Sequence, residues 1–95
     1  LFPLSQRGMT LAEIVELAGQ LDLDAQGLGI SAISELANLR CPALLHWNGN
    51  HFVVLESVKN GKFTVQDPAF GTRIYSAIDM EIYFSGIALE FEPRV

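Results

Sequence analysis

Two residues sixteen positions apart carry most of the chemistry this chain offers. His51 opens the apolar run His51-Phe52-Val53-Val54-Leu55, and Asp67 begins Asp67-Pro68-Ala69-Phe70-Gly71. A carboxylate on one ring nitrogen fixes the tautomer of an imidazole, and the other nitrogen can then take a proton from a thiol or hydroxyl. His51 and Asp67 fit base and orienter. They also fit a half-exposed histidine at a strand start and an unrelated Asp-Pro turn. The nucleophile that such a pair would serve is harder to find. Cys41 is the only thiol, ten positions before His51. Reactive cysteines sit at helix N-termini or against cations, where the thiolate is favoured. Cys41 instead precedes Pro42 at the mouth of an apolar run, with Arg40 beside it, and reads as a packed structural residue.

The other candidates are weaker. Ser5, Ser57 and Ser76 carry no nucleophile motif. His46 and His51 lack a third ligand at metal-binding spacing, so His46 reads as a packing or turn residue. Trp47 either lines a cleft beside His51, as a substrate contact, or is a core aromatic. Glu13, Glu16 and Glu35 read as solvated helix positions.

The elements that must position His51 and Asp67 follow from periodicity. Residues 1–9 read as a loop, with Pro3, Ser5 and Gly8 as breakers. Thr10-Leu11-Ala12-Glu13 is a capping box, and Leu11, Ile14, Val15 and Ala18 recur at helical spacing, which predicts a helix over 11–21. Residues 22–30 hold two glycines and read as a loop or short strand. A second helix is expected over 31–38, with Ile33, Leu36 and Ala37 inward, closed before Pro42. From Ala43 the apolar runs become continuous, as in strands buried on both faces. Strands are expected over 43–47 and 51–58 around Asn48-Gly49-Asn50, then over 62–66 and 72–75. A helix starting at Ser76 and running to about 84 precedes a last strand over 86–91, which Pro93 ends. Helices first and antiparallel strands later make an α+β layout.

Register decides whether His51 and Asp67 meet, because a one-residue slip turns a side chain to the other face. A two-residue turn at Asn60-Gly61 sets the two residues on opposite faces. An odd-length loop instead opposes Val53 to Asp67 and Leu55 to Val65, leaving His51 diagonal to Asp67 on one face. Such diagonals span about 7–8 Å, within reach of two converging side chains. The apolar pattern favours the odd loop, which gathers Val53, Leu55, Phe63 and Val65 and sends Lys62, Thr64 and Gln66 to the other side. Asn-Gly by itself suggests the two-residue turn.

Length and composition bound the function. Ninety-five residues, 49% of them hydrophobic, make one globular domain and not a disordered chain. A net charge of −5 without a Lys/Arg cluster argues against a nucleic-acid partner or an anionic membrane surface. A single cysteine excludes an internal disulfide and suits a reducing compartment. No apolar run approaches membrane-spanning length. The chain begins Leu1-Phe2-Pro3 and reads as a piece of something longer.

Four stretches together resemble a known family. They are Cys41-Pro42-Ala43-Leu44-Leu45-His46-Trp47, Asn50-His51-Phe52-Val53-Val54-Leu55, Val65-Gln66-Asp67-Pro68-Ala69-Phe70-Gly71 and Tyr83-Phe84-Ser85-Gly86-Ile87-Ala88-Leu89-Glu90. Along with Gln6-Arg7-Gly8-Met9-Thr10-Leu11, they resemble the C39 peptidase domain of bacterial ABC transporters that process and export bacteriocins, of the colicin V secretion type. The likeness covers essentially the whole chain. It implies a papain-like cysteine peptidase fold, here its C-terminal portion, an antiparallel sheet with flanking helices. It also implies a double-glycine leader peptide of a bacteriocin or toxin precursor as substrate. The base and orienter roles fall on His51 and Asp67.

In that family the nucleophilic cysteine lies on an N-terminal helix, after a glutamine that helps form the oxyanion hole. Nothing in these residues matches that segment, and Cys41 stands where the family has a strand-entry residue. Residues 1–95 are therefore expected to be a single C39-like domain lacking its nucleophile-bearing helix, inactive alone. The resemblance places the domain at the cytoplasmic face of the bacterial inner membrane, with transmembrane and nucleotide-binding domains of the same transporter as partners. It implies no cofactor or metal in this domain, ATP belonging to a later one. The alternative within the family is a domain without the cysteine that holds its secretion substrate uncut. A small α+β domain with no chemistry is a third reading.

Overall fold

The computed structural model describes residues 11–49 and 51–93. The first periodic stretch folds as helix α1 (Leu11–Gln20), which packs on the strand that follows it and buries Ala18 completely. The capping box that starts at Thr10 and the loop expected over 1–9 lie outside the described residues. Residues left open between loop and strand form β1 (Leu23–Gly29).

Where a second α-helix is expected, the chain makes a 3₁₀ helix, Ile33–Asn38. Three residues per turn put Ile33, Leu36 and Leu39 on one line, whereas Ala37 faces solvent. Leu36 is fully buried, and Ile33 and Leu39 pack on the same core. The expectation that Ala37 turns inward used an α-helical period and is corrected by the tighter one.

The strands are β2 (Ala43–Trp47), β3 (His51–Lys59), β4 (Lys62–Asp67), β5 (Gly71–Ser76) and β6 (Phe84–Pro93). Helix α2 (Ala77–Tyr83) stands between the last two, and the Ser76 hydroxyl caps it by accepting the Asp79 N–H at 3.2 Å. All six strands join one antiparallel sheet in the order β1-β6-β2-β3-β4-β5. Both faces are used. One gathers Leu45, Trp47, Val53, Leu55, Phe63, Val65 and Ala88 under Leu36 of the 3₁₀ helix and Met80 of α2. The other gathers Leu44, Phe52 and Leu89 with Ala25, Val54 and Phe91. Burial on both sides explains the unbroken apolar run in β2.

The hairpin between β3 and β4 corrects the odd-length loop. Lys59 opposes Lys62, Val58 opposes Phe63 and Ser57 opposes Thr64, so Asn60-Gly61 is a two-residue turn. Both residues are left-handed, Asn60 at φ 52° and Gly61 at φ 72°, as a type I′ turn requires. The register then shifts between Ser57 and Leu55, and beyond it Leu55 opposes Val65 and Val54 opposes Gln66. Glu56 is the extra residue of a β-bulge; it is exposed and accepts a hydrogen bond from the Gln66 side chain at 3.2 Å. The local turn preference prevails at Asn60-Gly61. The apolar pattern prevails four residues further on, and the bulge absorbs the mismatch. Continued by one step, this register sets Asp67 across from Val53 and diagonal to His51.

Gly61 tolerates its positive φ because it has no Cβ. Gly61→Val is expected to destabilise the fold by about 1–2 kcal/mol. Urea denaturation should show a lower midpoint with an unchanged m-value.

Candidate active site

Asp67 is where the turn chemistry and the sheet converge. Pro68 fixes the backbone after it, the Asp67 carbonyl accepts the Phe70 N–H at 3.3 Å, and the carboxylate Oδ1 accepts the Ala69 N–H at 2.8 Å. This is an Asx turn, in which a short carboxylate takes a backbone donor two residues on. It locks the side chain before any partner from another strand is added. Asp67 is the one buried charged residue among the described residues.

The partner is His51. Its Nε2 lies 3.1 Å from the same Asp67 Oδ1, with the imidazole side chain 16% exposed and the carboxylate 4%. The structure therefore brings together the two residues that the sequence singled out, on one face of adjoining strands. A carboxylate oxygen that already accepts the Ala69 N–H accepts again from the ring, so Nε2–H donates to Oδ1. In the neutral ring that leaves the lone pair on Nδ1. The arrangement can hold an imidazole in one tautomer and take a proton at Nδ1.

Both groups line a cleft of about 190 Å³. Trp47 and Tyr83 stack in its wall, centroids 5.5 Å apart and planes 16° apart, and Tyr75 tilts against both at 5.4 and 5.6 Å. Trp47 is 2% exposed and part of the main core, and it also borders the cleft. Phe70 and Arg73 form the outer rim, the guanidinium 5.4 Å from the ring centroid. Burial pushes the Tyr75 phenol above its ordinary value, opposed by Arg73 and reinforced by Asp67.

Sequence reasoning missed Tyr75, Tyr83, Phe70, Arg73 and Asn48. Arg73 and Tyr75 are two apart on β5, which is the signal that they share a face, and β5 pairs with the strand that ends in Asp67.

Cys41 is not part of this arrangement. Trp47, not Cys41, opposes His51, and Cys41 precedes the far end of β2. At about 3.3 Å per residue the far end of β2 is already about 13 Å from Trp47, and Cys41 lies before it. It packs against the main core, and burial, then the neighbouring Glu90 carboxylate, pushes it above its ordinary value of 9.0. This is the reverse of the setting that makes a thiolate. His46 is also away from the pair: its ring contacts Phe52 at 5.0 Å, and its buried Nδ1 has no hydrogen-bond partner among the described residues. No three His, Cys, Asp or Glu side chains among the described residues are grouped as a metal would need.

Comparison with known proteins gives this geometry a context. The sequence model of the peptidase C39 family matches residues 1–95. The chain is 46% identical over 92 residues to the colicin V secretion/processing ATP-binding protein CvaB of Escherichia coli. It is 45% identical over 92 residues to the probable microcin-H47 secretion/processing ATP-binding protein MchF of the same organism. Those 92 residues are 97% of this chain and 13% of each relative, so the chain spans about an eighth of their length. Among solved structures, a double glycine motif protease from an AMS/PCAT transporter, in complex with the leader peptide, superposes with a TM-score of 0.84 at 30% identity. That match covers 96% of this chain and 65% of the protease. The peptidase domain of Streptococcus mutans ComA superposes with a TM-score of 0.79 at 20% identity, covering 94% of this chain and 79% of the domain, a likeness of fold.

The Cys41 environment has a pH consequence. The folded state holds the thiol proton more tightly than the unfolded chain, whose thiol titrates near 9.0. The associated stability is full below pH 9 and is lost as the pH rises above it. Urea midpoints between pH 7 and pH 10 should fall less in Cys41→Ser than in the parent protein. Iodoacetamide at pH 8 should modify folded Cys41 more slowly than the unfolded thiol.

Proposed function

The chain belongs to the peptidase C39 family, and from that premise we propose that it carries the base and orienter of a cysteine peptidase that cuts double-glycine leaders from bacteriocin or toxin precursors. The supporting observation is the buried carboxylate of Asp67, fixed by its own turn and holding His51 Nε2–H at 3.1 Å. Burying a charged carboxylate is costly without a partner, and a module that only docks a peptide has no use for an imidazole so oriented.

In this reading a thiol gives its proton to His51 Nδ1, and its sulfur attacks the carbonyl carbon of the second glycine. The imidazolium, steadied by Asp67, returns the proton to the departing amine as the C–N bond breaks. Water, deprotonated by the same Nδ1, then releases the leader from the thioester. Trp47, in the cleft wall, is the proposed contact for the peptide. Arrangement and acidity both set Cys41 aside as the nucleophile, so the sulfur is assigned to a cysteine outside these 95 residues. Alone, residues 1–95 are proposed to be a single domain without cleavage activity.

The wider setting is likewise a proposal. The domain acts at the cytoplasmic face of the bacterial inner membrane, joined to the transmembrane and nucleotide-binding parts of one transporter. ATP is bound there and not by these residues. No helix among the described residues is long and apolar enough to cross a membrane.

The test uses the longer protein that contains this chain and a synthetic precursor peptide carrying a double-glycine leader. Wild type is expected to cleave after the second glycine. His51→Ala should lower kcat by on the order of 10²–10⁴-fold. Asp67→Ala should lower it by less, and Asp67→Asn, which keeps an acceptor for Nε2–H, by less again. Cys41→Ser should cleave like wild type. A His51→Ala protein that retains the wild-type rate would refute the assignment.

A further inference from the structure

We infer that Ser85 is a positioning residue for His51, acting through the turn that delivers the histidine to β3. The inference rests on the peptidase reading only for its kinetic consequence. His51 is the first residue of its strand, paired with Trp47 across the turn that joins β2 to β3. In that turn Asn48 has φ 52° and Gly49 has φ 78°. Asn-Gly suits two left-handed residues in succession, so the local shape of the turn is set by its own sequence, and what remains to be fixed is where the turn sits against the rest of the sheet.

Two donors of this turn are taken by the junction of α2 and β6. The Asn48 N–H donates to the Tyr83 carbonyl at 2.8 Å, and the Gly49 N–H donates to Ser85 Oγ at 2.9 Å. The first bond is backbone to backbone and does not depend on the side chain at position 85. The second depends on one hydroxyl, 36 positions away in sequence.

Ser85 is exposed and has no part in either core cluster. Gly49 is two residues before His51, while Asp67 is fixed independently by its Asx turn. A shift of the turn therefore appears as a misplaced ring, seen at the 3.1 Å contact between Nε2 and Oδ1 and in the direction of Nδ1. Tyr83 belongs to the cleft wall, so the same junction ties the wall to the base.

The experiment compares wild type, Ser85→Ala and Ser85→Thr in the longer protein, with two readouts. By NMR on histidine-labelled protein, solvent exchange of the His51 Nε2 proton should be about tenfold faster in Ser85→Ala, with the urea midpoint unchanged and Ser85→Thr close to wild type. On the double-glycine leader peptide, Ser85→Ala should lose about tenfold in kcat with KM within about twofold, because a misplaced base impairs the chemical step and leaves peptide binding intact. Exchange in Ser85→Ala within twofold of wild type overturns the inference. A wild-type protein that does not cleave removes the peptidase reading, and the exchange measurement still decides the role of Ser85.

Discussion

Everything around the cleft depends on a carboxylate removed from water. Asp67 is buried, and a buried carboxylate persists only where donors replace its lost hydration. The chain supplies them from two sources. The Ala69 N–H comes from the same turn and is available as soon as Asp67-Pro68-Ala69 forms. The His51 Nε2–H comes from another strand and is available only when the sheet is paired correctly. The first donor fixes the rotamer, and the second turns that fixed rotamer into an instruction to the imidazole. The order matters, because a carboxylate free to rotate would follow the ring instead of orienting it.

Correct pairing is a question of parity. A strand side chain has two faces to choose from, so the number of residues between His51 and Asp67 matters modulo two, and a two-residue turn by itself gives the wrong parity. Glu56 restores it. The signal was present in the chain. Val53 and Leu55 are two apart, but the next residue on the core face is Val58, three further on. A break of one in a period of two is what a bulge looks like in sequence. Reading it together with Asn60-Gly61 accounts for both ends of the hairpin. An odd-length loop satisfied only the end that bears the histidine.

The legible parts of the fold are those governed by local rules. Ser76 caps α2, Asn60-Gly61 turns, and Asp67-Pro68 turns, because in each case the residues that decide are neighbours. His51 and Asp67 stood out as a pair by residue type and spacing and again by the family resemblance, and the structure puts their side chains in contact. The parts not legible are set by what lies across the sheet. Arg73 and Tyr75 border the cleft because β5 pairs with β4, and Ser85 reaches Gly49 because β6 crosses back to lie beside β2. Nothing near Ser85 in sequence says which turn it will meet. The 3₁₀ helix is an intermediate case: Ile33 and Leu36 suit either helical period, and only the inward line to Leu39 separates the two.

The same sheet treats its histidine and its cysteine differently. A base needs an orienter held to a few tenths of an ångström, and adjoining strands with a locked turn provide that rigidity. A nucleophilic sulfur needs an environment that favours its anion, such as a helix N-terminus or a cation. Strand entries offer neither. At Cys41 burial against the core and the Glu90 carboxylate both oppose the thiolate, and it is Trp47, at the other end of β2, that opposes His51. A sheet can therefore hold a histidine and an aspartate in working order while its own cysteine serves only as packing. Favouring a thiolate and fixing an imidazole are thus demands that different kinds of element meet, and at Cys41 the surroundings meet neither.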